Sequence, residues 1–349
     1  MKKIFIILSV TLLIMMLVAG CGGQDSSNTA GNNQSGSEKN EAALTLKLGH
    51  VVAEDTALHK GALKFAEAVK EKSDGKIIVD VYPSSQLGSN REMIESLQLG
   101  SVDFCLPNLS LLAGFTDQTA VFELPYLFKN DAAAEAVFDG PIGQEIFDSL
   151  EDSSIKGLAY WTQGWRNITT GKTPVREPSD MEGLKIRTME NKRHMQHFKT
   201  LTANPIPMPF AEVFTGLQQG IIDGQENPYV NIYLMGFHEV QKYIIETRHI
   251  YDAIPLVMSK VAWDKLTPEQ QQVIMDTAKE VTAEVREISR QDDERYKKAI
   301  LEEGETEIIE LTAEQRQKFF EAAQPVYKAY EEEIGKDRIQ RVLDAQKGF

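Results

Sequence analysis

The chain has 349 residues, 42% of them hydrophobic and 26% charged, an ordinary globular balance with room for two domains and their cores. Its formal net charge of -15 argues against a nucleic-acid partner, whose phosphates would repel it. A small anionic ligand is not excluded, because a local cationic site can sit inside an acidic protein.

Residues 1–20 read as a targeting segment. Lys2 and Lys3 are a basic start, Ile4 to Val18 is mainly apolar, and the run is too short and wrongly flanked for a spanning helix. Val18-Ala19-Gly20-Cys21 resembles a bacterial lipobox, which implies cleavage before Cys21 and a diacylglyceryl thioether on its sulfur; the alternative is a plain secretory signal with a chance cysteine. Residues 21–43, rich in Gly, Ser, Asn and Gln, form a flexible tether. Cys105, the other cysteine, lies in an apolar segment and reads as a buried structural thiol, with no disulfide framework.

Leu44, Leu46 and Leu48 alternate with polar residues as a strand, and Thr56 caps a helix whose apolar face is Leu58, Ala62, Phe65 and Val69. A strand at Ile77 to Val81 completes a β-α-β opening, the mark of an α/β domain with parallel strands. An internal echo follows: Glu92 to Asp103, EMIESLQLGSVD, matches Glu212 to Asp223, EVFTGLQQGIID, 120 residues on. Each copy reads as a helix stopped by glycine, Gly100 or Gly220, and then a short buried strand carrying aspartate. The repeat suggests two similar α/β lobes; chance similarity is the alternative.

Between the copies come helices over 131–138 and 142–150, a strand over 157–161, and the polar bend Gln163-Gly164-Trp165-Arg166-Asn167 before extended structure resumes. The stretch GLKIRTMEN, 183–191, reads as a strand ending near Arg187 and a helix beginning at Asn191. An arginine at the carboxyl end of an α/β strand offers a planar fork matched to a carboxylate, a surface salt bridge being the plain alternative. His194 and His197 have metal-compatible spacing but no third ligand, and their Lys192, Arg193 and Lys199 flanks suggest a solvated face. Phe210 and Asn227, the latter in DGQENP, sit at element ends. Thr267 and Gln270 form a capping box for a helix of 36 residues reaching Glu303, about 54 Å long and able to brace both lobes. Thr312 and Gln315 cap a helix interrupted at Pro325, and a last helix spans 337–346.

Motifs for a nucleophile elbow, zinc protease, phosphate loop, redox dithiol or calcium loop are missing, which shifts the weight from catalysis to binding. Together, HVVAEDTALHKGALKFAEAVKEKSDGKI, YPSSQLGSNREMIESLQLGSVDF, GLKIR, PMPFAEVFTGLQQGIIDGQENP and the arginine of GWRNITT resemble the extracytoplasmic solute receptors of tripartite ATP-independent periplasmic (TRAP) transporters. The resemblance implies a two-lobed, periplasmic-binding-protein-like (Venus flytrap) α/β fold, with crossing strands and a long bracing helix. Lobe I is then 44–163 plus 253–292, and lobe II is 164–252 plus 293–349.

By the same resemblance Arg187 grips the ligand carboxylate, Arg166 supplies a second cation, Asn227 donates to the carboxylate and Phe210 walls the pocket. Asn108 stands where the sialic-acid branch has glutamate. Asn108, Gln163, His50 and Glu54 are candidate partners for ligand hydroxyls. The implied protein is a lipid-anchored receptor on the outer face of a bacterial cell membrane. It captures a small organic acid, a sugar acid such as a hexuronate or a C4-dicarboxylate, and passes it to membrane permease subunits. No cofactor, metal or nucleotide is implied; a secreted lipoprotein enzyme or a sensory receptor using the same cleft are the alternatives.

Overall fold

The computed structural model describes residues 43–349, so the targeting segment, Cys21 and the tether up to residue 42 lie outside the described residues. Among the described residues nine strands make one sheet: β1 (Leu44–Gly49), β2 (Ile77–Tyr82), β3 (Phe104–Cys105), β4 (Ile155–Thr170), β5 (Lys185–Thr188), β6 (Asn204–Pro207), β7 (Gly224–Asn227), β8 (Tyr243–Ser259) and β9 (Glu307–Ile309). Their order is β2-β1-β3-β8-β4-β7-β5-β6, with β9 paired to β8. From either edge the sheet runs the same way. A parallel pair is followed by a short parallel strand, β3 or β7, and then by a long antiparallel one, β8 or β4.

The repeated sequence is this symmetry in residues. Helices Asn90–Gln98 and Val213–Gln218 are each stopped by a left-handed glycine, Gly100 at φ 74° and Gly220 at φ 68°. The repeated aspartates precede strands β3 and β7, and each accepts a backbone N–H from the neighbouring strand. Asp103 Oδ2 takes Lys47 N and Asp223 Oδ2 takes Lys185 N, both at 2.8 Å.

The long strands β4 and β8 join the two halves. The bend expected at 163–167 is a bulge within one continuous strand, because pairing continues from Thr162↔Ala253 to Trp165↔Tyr251 across it. Gly164 absorbs the irregularity at φ 90°. In the first half the sheet carries a core on each face, one around Phe65, Phe104 and Trp161, the other around Phe122, Phe138 and Tyr160. The second half repeats the sandwich, with Ile186 and Phe198 in one core and Leu217, Tyr229 and Phe237 in the other.

The helix Pro268–Glu303 has the expected capping box and 36 residues. Its Ile274, Val281 and Val285 enter a first-half core and its Tyr296 and Ile300 a second-half core, so it braces both. Arg286 ties it to β4 by donating to Tyr160 O, at 2.8 Å from Nη2. The helix Ala313–Ile334 passes through Pro325 without interruption. Phe319, Ala323 and Val326 are buried on both sides of the proline, and their packing outweighs a cost of about 3 kcal/mol.

This helix runs from the second half, where Phe319 packs, back to the first, where Val326 and Ile334 pack. Ile339 and Val342 of the last helix, Lys336–Ala345, join them. The tail beyond Val326 therefore belongs with the first half, not with the 293–349 portion of a second lobe, because its apolar residues meet the Phe122–Phe138 core.

Candidate functional site

A cavity of about 490 Å³ lies between the halves, within the range of small-molecule sites. Its walls come from segments at the carboxyl ends of strands in both halves: Val51 and Val52 after β1, Leu106 and Asn108 after β3, Met189 after β5, and Met208 to Glu212 after β6.

Arg187 lies within β5, paired to Ile206 of β6, and is 2% exposed. Its Nε and Nη2 donate to Met208 O at 2.9 and 2.7 Å. Pro207 and Pro209 flank Met208 and keep the segment extended, and Met208 N bonds Thr188 O, so the Met208 carbonyl is fixed beside the guanidinium. Nη1 is buried with no hydrogen-bond partner among the described residues, and no carboxylate of these residues forms an ion pair with Arg187. Burial draws its pKa down to about 10, with Glu226 opposing and Arg166 reinforcing the shift.

Arg166 also lines the cavity, but its charge is already matched. Its guanidinium bonds the Glu226 carboxylate and lies 3.0 Å from Asp252 Oδ2 through Nη1. Burial opposes ionisation, yet Asp252 and Glu226 outweigh it and hold the guanidinium above its usual range. Glu226, buried itself, is held below the usual carboxylate range by Arg166 and His249 despite burial. The expected second cation is thus already engaged by two buried carboxylates.

Asn227, Phe210, Asn108 and Gln163 all line the cavity as well. Asn227 belongs to a chain of amides: its Nδ2 donates to Gln225, its Oδ1 accepts from Asn231 at 3.2 Å, and Asn231 meets Gln163 Nε2 at 3.2 Å. Gly224 permits this layout, since a Cβ there would sit 2.1 Å from Thr169 O of β4. Asn108 Oδ1 caps a short helix through Ser110 N, and its Nδ2 donates to Asp252. Phe210 is half-buried, edge-on to Phe237 at 6.0 Å.

His50 and Glu54 fall outside the cavity. His50 is fully buried with Nε2 3.0 Å from His59 Nδ1, and burial draws its pKa down to about 4. Glu54 is exposed. The Thr56 cap, which also bonds Ala53 O, turns this loop so that Val51 and Val52 face the cavity instead.

The helix Lys192–Thr200 is likewise not a solvated face on the histidine side. His194 and His197 are each 1% exposed, and the neighbouring Arg193 pairs with Glu333 of the tail helix and lies over Tyr330. His194 Nε2 meets Glu123 Oε2 at 2.9 Å. His197 stacks on His249 at 5.5 Å, and His249 Nε2 lies 3.2 Å from Glu226 Oε2. Burial lowers the pKa of His197 well below the usual histidine value, and it lowers that of His249 more than Glu226 raises it. Among the described residues no group of three potential ligands is arranged for a metal ion.

Sequence reasoning also missed Asp252 and Asn231, which line the cavity. Asp252 left a trace, a lone acid inside the apolar run of β8. Asn231 left none, since a helix surface places asparagine freely.

The model of "Bacterial extracellular solute-binding protein, family 7" matches residues 48–333. The C4-dicarboxylate-binding protein DctB of Bacillus subtilis is 35% identical over 87% of this chain and 87% of its own. The 2,3-diketo-L-gulonate-binding periplasmic protein YiaO of Escherichia coli is 35% identical over 77% of this chain and 82% of its own. Among solved structures, the sugar acid binding protein DctPAm of Advenella mimigardefordensis with galactonate has a TM-score of 0.85 at 35% identity, covering 88% of this chain and 98% of that one. A TRAP periplasmic solute binding protein of Shewanella oneidensis with bound succinate also has a TM-score of 0.85 at 35% identity, covering 88% of this chain and 100% of that one. The sandwich halves, the cleft between them and these likenesses have one meaning: the chain belongs to family 7 of the bacterial extracellular solute-binding proteins and is a two-lobed solute receptor of a TRAP transporter, not an enzyme.

Proposed function

We propose that the cavity captures a small organic acid by a salt bridge between its carboxylate and Arg187, and that the loaded receptor delivers it to membrane permease subunits. The observation that carries this is Arg187 itself, a buried guanidinium beside a cavity with one nitrogen unbonded and no acid paired to it among the described residues. A ligand carboxylate would supply the missing anion, in charge-assisted bonds worth about 1.5 to 3 kcal/mol each. Asn227 and Phe210 complete the grip as donor and wall. The relatives' named ligands, C4-dicarboxylates and sugar acids, fit that chemistry.

The moving parts are two lobes, residues 44–163 with 253–292 and the tail from 326, and residues 164–252 with 293–325. A ligand touching both favours the closed form by its differential affinity. Cys21 is the lipid attachment site, holding the receptor at the outer face of the cell membrane. Thermal melting of the mature protein with dicarboxylates, aldonates and uronates tests the binding proposal. A true ligand at 100 times its Kd adds about 2.7 kcal/mol of stability. A panel that leaves the melting temperature unmoved overturns it. Mass spectrometry of the membrane-bound protein tests the anchor, which fails if Cys21 carries no diacylglyceryl group.

A further inference from the structure

Relatives of this chain bear the names of two ligand kinds, dianionic C4-dicarboxylates and sugar acids, and the cavity distinguishes between them. Two guanidinium groups, Arg187 and Arg166, and the Asp252 carboxylate line its buried floor, and Glu226 lies behind them against Arg166, so these charges cancel before any ligand enters. Glu226 is spent on Arg166 and His249. Asp252 is different: it lines the cavity, and its Oδ2 lies 3.0 Å from Arg166 Nη1 with no other partner among the described residues. Its Oδ1 is held by Asn108.

We infer that Asp252 makes this receptor selective for monoanionic polyhydroxy acids over dicarboxylates, by accepting a ligand hydroxyl at Oδ2 and repelling a second ligand carboxylate. The inference rests on the proposed grip of Arg187 on the first carboxylate. One carboxylate at Arg187 already leaves the floor with an excess negative charge. A second, at the far end of a short diacid, would enter a buried site whose other arginine is bound by two acids. The one further cation of the described lining, Arg91, is exposed and paired with Glu95 at 3.1 Å, while Glu92, Glu190 and Glu212 make the rest of the lining acidic. A hydroxyl brings a donor to Asp252 Oδ2 without charge, and a site built to bond a hydroxyl discriminates strongly against a ligand that lacks one.

The test is calorimetric titration of the wild-type mature protein with galactonate and gluconate against succinate and fumarate at neutral pH. The polyhydroxy monoacids should bind at least about tenfold more tightly, the scale set by like-charge juxtaposition in a desolvated site. In Asp252→Asn, which keeps the shape and removes the charge, that ratio should shrink by at least about tenfold as the diacids gain and the aldonates lose. A wild type that prefers succinate or fumarate overturns the selectivity while leaving the receptor proposal standing. So does a folded Asp252→Asn with an unchanged ratio. Should Asp252→Asn not fold, the wild-type ratio decides alone. Wild-type protein that binds neither class, at any concentration the calorimeter reads, overturns the receptor proposal and this inference together.

Discussion

The two cavity arginines should behave oppositely when replaced, and the difference can be worked from their partners. In Arg187→Met the apo protein loses two donors to Met208 O, leaving that carbonyl short of partners at a cost of about 1 to 3 kcal/mol. It also sheds a cation that burial disfavours: the fall from 12.5 to about 10 corresponds to about 3 kcal/mol against the charged form. The two nearly cancel, so apo stability should barely change. Ligand affinity should fall by about 2 to 5 kcal/mol, roughly 30- to 4,000-fold in Kd. Arg166→Met instead strands Glu226 and Asp252 in the interior and should cost about 3 to 5 kcal/mol of stability. Denaturant unfolding of the two apo variants, beside calorimetry with an acid that binds the wild type, separates the effects. Equal destabilisation by both substitutions, or unaltered affinity in Arg187→Met, would refute the assignment of an unpaired, ligand-facing cation to residue 187.

Arg187→Lys should also bind weakly, since a point ammonium cannot replace a planar fork; affinity within threefold of wild type would contradict this. Asp103→Ala and Asp223→Ala, at equivalent places in the two halves, should each cost about 1 kcal/mol in urea unfolding, and a loss confined to one of them would break the equivalence. Gly224→Ala drives a methyl against Thr169 O and should destabilise by more than about 1 kcal/mol, read as a lower melting temperature. Acid should destabilise the protein below about pH 6.5. His50 is held near 4 when folded but titrates near 6.5 when unfolded, so the unfolded chain binds the proton first and stability is lost as pH falls between those values. That group alone contributes about 3 kcal/mol, and His50→Gln should flatten the acid limb.

Local chemistry carried most of the architecture. Thr56, Thr267 and Thr312 cap helices where their spacing to the following residues says they should, and Gly100 and Gly220 end the paired helices. These signals need only near neighbours, so they survive in a linear reading. What escaped depends on partners far along the chain. His194 and His197 look solvated beside Lys192 and Lys199 until Glu123 and His249, distant in the chain, come against them. Arg166 looks like a free cation until Glu226 and Asp252 arrive on neighbouring strands. His50 directly follows β1, where a side chain can turn under the next helix as readily as into a cleft, and it meets His59 of that helix. The Arg187, Asn227, Phe210, Asn108 and Gln163 group, which lines one cavity, is named through the family resemblance and not through a local signal.

The chain passes between the halves four times, through β4, β8, the helix Pro268–Glu303 and the helix Ala313–Ile334. No single cut therefore separates one half from the other. The first half illustrates the cost in time: Phe104 waits for Met258 before its strand is flanked on both sides, and the core around Phe122 waits for Val342. Such long-range closure slows folding and postpones it until almost the entire polypeptide has been made. A nascent chain of this design stays threadable while it is being handed across a membrane, and locks only when its carboxyl end comes home.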